Sequence, residues 1–172
     1  MKNLVLIGMP GSGKTKIGNY LSQTLNLPVL DTDAMVVAET GMAISGIFEK
    51  YGEPHFRDLE TRAVQKAAQS DGTIIATGGG VVLRPENMDV LAQTGIIFFR
   101  DRPPEAIVGE DHKDRPLVGA DKDAARERIF NLYAQRLALY KRYAHHYIAP
   151  TDTWQEAGEQ IAAIYQKEAS QS

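Results

Sequence analysis

The sequence has 172 residues, a length that suits one domain and leaves too little chain for two independent hydrophobic cores. Apolar residues make up 43% and charged residues 24%, which excludes a disordered or fibrous chain, and a net charge of -3 lacks the basic surplus of a protein that grips nucleic acid by its phosphates. The absence of cysteine excludes disulfides, thiolate metal sites and a thiol nucleophile. No stretch approaches the roughly 20 apolar residues a membrane helix needs, and Met1-Lys2-Asn3 leads into a strand-like run without a signal-peptide pattern. A soluble cytoplasmic protein with no nucleic-acid or membrane partner is the expectation.

Leu4-Val5-Leu6-Ile7, ended by Gly8, reads as a buried strand of a parallel sheet. From Lys14 to Leu25 the apolar residues Ile17, Leu21 and Leu25 recur every fourth position, the stripe of a helix packed on that strand. Pro28-Val29-Leu30, Thr73 to Ala76 and Gly95 to Phe99 read as three further strands, with helical patterns between them, so the order is α/β. The segment from Asp33 to Ser70 is helical, broken near Gly41 and Gly52-Glu53-Pro54, and longer than a crossover requires; it reads as a substrate-binding insertion. Asp101 to Asp121 holds many charges and almost no apolar period, which predicts a mobile surface segment able to serve as a lid. Lys122 to Tyr143 then predicts a helix, His145 to Ile148 a last strand, and Trp154, Ala157, Ile161 and Ile164 the core stripe of a closing helix.

Chemistry enters with Gly8-Met9-Pro10-Gly11-Ser12-Gly13-Lys14-Thr15, which matches the phosphate-binding loop G-x-x-x-x-G-K-[ST] between a strand and a helix. Backbone N–H groups of Gly11, Ser12 and Gly13 can converge on phosphate oxygens at a helix N-terminus, Lys14 reaches the β- and γ-phosphates, and Thr15 can ligate Mg²⁺. Asp31-Thr32-Asp33 leaves the second strand beside this loop. Strand alternation points both carboxylates one way, toward metal-bound water or substrate hydroxyls; the alternative is a helix cap at Asp33 and a solvated Asp31.

Gly78-Gly79-Gly80 follows the third strand and offers bare backbone either to a ligand or to a flexible turn. Arg57 and Glu60, one helical turn apart, can form an intrahelical ion pair. Arg136 falls inside the apolar stripe of Ile129, Tyr133 and Tyr140, so its guanidinium should meet an anion from protein or ligand. Arg115-Pro116-Leu117 places a fork of donors in the charged segment, where a closing lid could carry it onto the transferred phosphate.

In this order, the phosphate loop, Asp31-Thr32-Asp33, Ile47-Phe48 with Gly52-Glu53 and Phe56-Arg57-x-x-Glu60, Gly78-Gly79-Gly80, Arg115-Pro116-Leu117 and Arg136 resemble the shikimate kinase family over most of the chain. The resemblance implies transfer of the γ-phosphate of ATP to the 3-hydroxyl of shikimate, with Mg²⁺, in aromatic amino-acid biosynthesis. The implied fold is a three-layer sandwich of the P-loop nucleoside-monophosphate-kinase type, with a five-stranded parallel sheet flanked by helices. Residues 1–172 would form a single monomeric kinase domain, with a helical insertion at about 33–70 and a lid at about 103–122.

Carried over, Lys14, Asp33 and Arg115 would be catalytic, Gly11 to Thr15 would bind nucleotide, and Thr15 and Asp31 would serve the metal. Asp33, Arg57, Gly78, Gly79, Gly80 and Arg136 would hold shikimate. One departure stands out. Relatives often carry an adenine-stacking arginine seven residues before the Arg-Pro-Leu, and here that position is Val108 in an acidic stretch. A gluconate or other small-metabolite kinase shares the expected fold and lid and is the alternative. A switch GTPase lacks its Asp-x-x-Gly and Asn-Lys-x-Asp here, and a non-catalytic nucleotide-binding subunit is the third reading.

Overall fold

The computed structural model describes residues 1–114 and 120–171, the side chains of 110–114 and 120–121 excepted. Five parallel strands, β1 (Asn3–Ile7), β2 (Val29–Asp31), β3 (Ile74–Ala76), β4 (Gly95–Arg100) and β5 (His146–Ile148), form one sheet in the order β2-β3-β1-β4-β5. Every residue of β1, β3 and β4 is buried, as strands covered on both faces must be. Each large side chain such as Phe98 or Phe99 contributes about 1.5–3 kcal/mol by leaving water.

Helices cover both faces. Helices α1 (Lys14–Leu25) and α8 (Trp154–Ala169) close one face around Ile17, Leu21, Ile161 and Tyr165. The other face carries α4 (Glu53–Ala68), α5 (Pro85–Thr94) and α7 (Ala120–Tyr143), whose Val64, Leu91 and Tyr140 pack on Val5, Ile97 and Phe99. The short helices α2 (Thr32–Thr40) and α3 (Ile44–Tyr51) pack with α4 in a small separate cluster around Val36, Ile47 and Phe56. The chain first builds β2 and β3 on one side of β1 and then crosses to β4 on the other. Ligands of such sheets bind at the carboxyl ends of the strands where that reversal occurs.

Two expectations need correction. The segment after β4 was expected to show almost no apolar period, yet α6 spans Pro104–Asp114. Proline at a first helical position costs no hydrogen bond, and Ile107 and Val108, both buried, suffice to pin the helix. A count of charges overlooks so short an apolar anchor. Asp31-Thr32-Asp33 is not a continuing strand either: α2 begins at Thr32, so the alternation that would align the two carboxylates stops at Asp31.

Candidate functional site

The phosphate loop turns tightly because Gly11 and Gly13 adopt φ of 79° and 89°, the left-handed region a side chain would disfavour. Gly13 caps α1, leaving the first N–H groups of the helix directed at the loop's concave side. Lys14 is folded onto this loop: its Nζ donates to the carbonyls of Gly8 at 2.6 Å and Met9 at 2.8 Å. Burial lowers the Lys14 ammonium from the usual lysine value to about 8, although Asp33 and Asp31 pull it upward. Thr15 is exposed, one position further along α1.

A cavity of about 1150 Å³ opens over the loop and runs from Asp31, Asp33, Gly78 and Gly79 past Lys14 to Arg102 and Trp154. Asp31 caps α2, its Oδ1 accepting from the N–H groups of Asp33 (2.9 Å) and Ala34 (3.1 Å), so the cap is Asp31 and not Asp33. Asp33 lies in the first turn of α2, where burial and the Asp31 charge raise its carboxyl above the ordinary aspartate value, against the pull of Lys14 and Arg57. The two acids therefore do converge on the cavity, through a cap and a helical turn.

The glycine triplet has a physical reason different from loop freedom. None of the three has positive φ. A Cβ on Gly78 would stand 2.8 Å from Asp33 Oδ1 and 3.0 Å from Glu60 Oε2, one on Gly79 would overlap the Pro10 ring, and one on Gly80 would overlap the Arg57 guanidinium. The bare backbone thus makes room for protein groups that converge on the site.

Arg57 pairs with Glu60 at 3.0 Å and Glu53 at 3.1 Å along its own helix, so the intrahelical reading of that pair is correct as far as it goes. Glu60 is 1% exposed and its Oε2 has no hydrogen-bond partner among the described residues. Burial raises its carboxyl above the usual value, offset first by the Arg57 charge.

Arg136 is 8% exposed, and no carboxylate lies within ion-pair distance of it among the described residues. It sits behind the glycine triplet with Tyr140, whose hydroxyl donates to the Gly79 carbonyl at 2.7 Å and is pushed up to about 12, mainly by burial. Neither Arg57 nor Arg136 lines the cavity itself; Arg57 stands against Gly80, and Arg136 hydrogen-bonds Tyr140.

The far end of the cavity went unread in the sequence. Arg102 Nη1 donates to the Gly11 carbonyl at 2.7 Å, and Trp154 stands at the start of α8 with its Cβ 3.6 Å from where a Cβ on Gly13 would lie. Behind them Asp101, 4% exposed, accepts from the hydroxyls of Tyr133 (2.9 Å) and Tyr147 (2.6 Å). The -Arg-Asp-Arg-Pro-Pro- run was the available signal, but its charges looked like those of a solvated loop. Val108 is buried in α6 and is not among the residues that line the cavity. Arg115 lies outside the described residues.

The sequence model of the family described as shikimate kinase matches residues 10–168. The shikimate kinase of Caldicellulosiruptor bescii is 39% identical over 168 residues, covering 96% of each chain. A solved shikimate kinase from Acinetobacter baumannii in complex with shikimate superposes with a TM-score of 0.85 at 30% identity, over 100% of this chain and 95% of that one. A gluconokinase from Sinorhizobium meliloti has the same fold, with a TM-score of 0.60 at 14% identity over 99% of this chain and 97% of that one. The match over nearly the whole sequence and the shared five-stranded parallel sheet settle the assignment: the chain belongs to the shikimate kinase family.

Proposed function

We infer that the chain transfers the γ-phosphoryl group of ATP to the 3-hydroxyl of shikimate. The observation that carries this reading is the buried Arg136 guanidinium, without a carboxylate partner among the described residues, behind a glycine backbone that opens onto a phosphate-loop cavity. An isolated buried charge costs several kcal/mol, roughly, and a carboxylated substrate would offset that cost with two parallel charged hydrogen bonds.

In this reading the triphosphate lies along Gly11 to Thr15, and Lys14 exchanges the carbonyls of Gly8 and Met9 for β- and γ-phosphate oxygens. Asp33, its carboxyl raised by burial, accepts the hydrogen bond of the attacking hydroxyl and is a better base than an exposed aspartate. Arg57 and Arg136 hold the acceptor's carboxylate, with the backbone of Gly78, Gly79 and Gly80 beneath the ring. The segment at 103–122 acts as the lid that delivers Arg115, and α2 to α4 form the acceptor-binding insertion of a single kinase domain.

Mg²⁺ fits the donors present. The Thr15 hydroxyl and the Asp31 carboxylate line the same cavity, and hard oxygen donors few in number suit an ion that keeps most of its water. Asp31 is already oriented by its two N–H bonds. When bound, the ion neutralises charge on the β- and γ-phosphates.

A coupled ADP-release assay against shikimate, gluconate and AMP tests the assignment. Turnover with shikimate alone is the expected result. Turnover with gluconate or AMP in its place would reassign the acceptor, and none with any of the three would leave a nucleotide-binding protein.

A further inference from the structure

Tyr140 is the largest fully buried side chain among the described residues. Its ring stacks on Phe99 of β4, centroids 5.0 Å apart and planes 26° from parallel, inside the cluster that also holds Val5 and Ile97. Phenylalanine would fill that place equally well. The hydroxyl is what calls for a reason, because a buried hydroxyl is unfavourable unless it is hydrogen-bonded.

It is bonded on both sides. It donates to the Gly79 carbonyl at 2.7 Å, and it accepts from the guanidinium of Arg136, four residues earlier on the same face of α7. The direction of the relay is fixed: a guanidinium can only donate and a carbonyl can only accept, so the hydroxyl between them must do both. In a buried relay of this kind each bond polarises the next.

The relay ends on a backbone that has no side chains to hold it. The peptide that joins Gly79 to Gly80 is trans, so its carbonyl and its N–H point opposite ways. Holding the carbonyl on α7 therefore turns the Gly80 N–H away from α7, and it removes the rotational freedom that consecutive glycines would otherwise keep. Gly79 lines the cavity, whereas Tyr140 has no exposed surface and stands behind it.

We propose that Tyr140 is a positioning residue of the acceptor site, whose hydroxyl sets both the Arg136 guanidinium and the plane of the Gly79 to Gly80 peptide without touching substrate. The inference rests on the proposed role of Arg136 and the glycine backbone in holding shikimate. The competing role is packing alone, in which the ring matters and the hydroxyl does not.

Tyr140→Phe removes the hydroxyl and keeps the ring, while Phe99→Leu loosens the same packing and keeps the hydroxyl. Both would be titrated with shikimate and with ADP, beside wild type, Arg136→Lys and the double variant Tyr140→Phe with Arg136→Lys. Tyr140→Phe should weaken shikimate binding roughly 5- to 20-fold and leave ADP binding unchanged, and in turnover it should raise KM for shikimate but not for ATP. Phe99→Leu should lower the melting temperature with little change in the shikimate constant. The double variant should lose less than the product of the two single losses, because the hydroxyl acts in part through that guanidinium. An unchanged shikimate constant in Tyr140→Phe, an equal loss for ADP, an equal shikimate loss in Phe99→Leu, or single losses that multiply in full would each overturn the inference. Failure of the wild-type protein to bind shikimate would instead defeat the proposed function.

Discussion

Arg57 and Gly80 occupy space that one added methyl group would contest: a Cβ on Gly80 would overlap Cζ and both terminal nitrogens of the Arg57 guanidinium. Gly80 has φ of -92°, so alanine fits the backbone, and the three atoms nearest the added methyl all belong to the arginine. The added methyl would displace the guanidinium from the position in which Glu53 and Glu60 hold it. Gly80→Ala should therefore weaken shikimate binding about 10-fold or more, in line with loss of one charged hydrogen bond, and lower the melting temperature as the buried Glu60 loses part of its pairing. Titration with shikimate checks this, and an unaltered dissociation constant would show that Arg57 does not hold the acceptor.

Lys14 predicts a proton balance. Burial sets its ammonium near 8 in the free protein, and phosphate oxygens close to it favour the charged form and raise that value. Free protein above about pH 8 is increasingly neutral at Lys14, so ADP binding there must take up a proton, approaching one per site near pH 9. Calorimetry in buffers of different ionisation enthalpy measures the uptake. Lys14→Ala should abolish both the uptake and phosphoryl transfer while leaving the fold intact, because the loop keeps its glycine geometry. Buffer-independent heats in the wild type would place the lysine away from the phosphates.

Arg136→Lys tests the acceptor carboxylate. The substitution keeps the charge but loses the fork of donors, so it should cost shikimate binding about 1–3 kcal/mol with little effect on ADP. Tyr140, pushed up to about 12, stays a hydroxyl donor to Gly79 throughout the usable pH range and should not add a pH dependence of its own. Calorimetric titration decides, and an unchanged shikimate constant would remove Arg136 from the site.

The parts of the fold readable in advance were those written in adjacent residues. A buried run such as Leu4 to Ile7 and a contiguous phosphate loop carry their meaning locally, and so β1 and the loop matched expectation. The paired aspartates were found by the same means, but their geometry was not, since a capping carboxylate and a continuing strand both begin with an acid after apolar residues. The glycine triplet was recognisable as unusual, while its cause, the approach of Arg57, Asp33 and the Pro10 ring, exists only after folding. Arg102 and Trp154 lie 52 positions apart and meet only across the loop they flank, so no spacing rule could pair them.

Asp33 and Asp31 should separate when each is replaced by asparagine, because their surroundings assign them different work. Asp33 is raised by burial and by its neighbour, so it protonates at a higher pH than a free aspartate; the ionised form is the one that can accept a proton or steady the attacking hydroxyl. Turnover should accordingly fall on the acid side as pH drops through a value above 3.8. Asp33→Asn should lower kcat about 10²–10⁴-fold, the usual range for loss of a general base, and erase that acid limb, with a smaller change in shikimate affinity. If Asp33 only anchors hydroxyls, affinity and kcat/KM fall together and kcat stays near normal. Asp31→Asn should keep an acid limb but move it to lower pH, because the neighbouring charge that raises Asp33 is gone, and should raise the magnesium concentration needed for half-maximal rate, since the Asp31 carboxylate lines the same cavity as Thr15. The asparagine oxygen can still accept from the N–H groups of Asp33 and Ala34, so α2 keeps its cap and the variant reads metal affinity rather than unfolding. Rate measurements over pH and magnesium for both variants distinguish the roles: superimposable profiles would mean that the two carboxylates act as one charged unit.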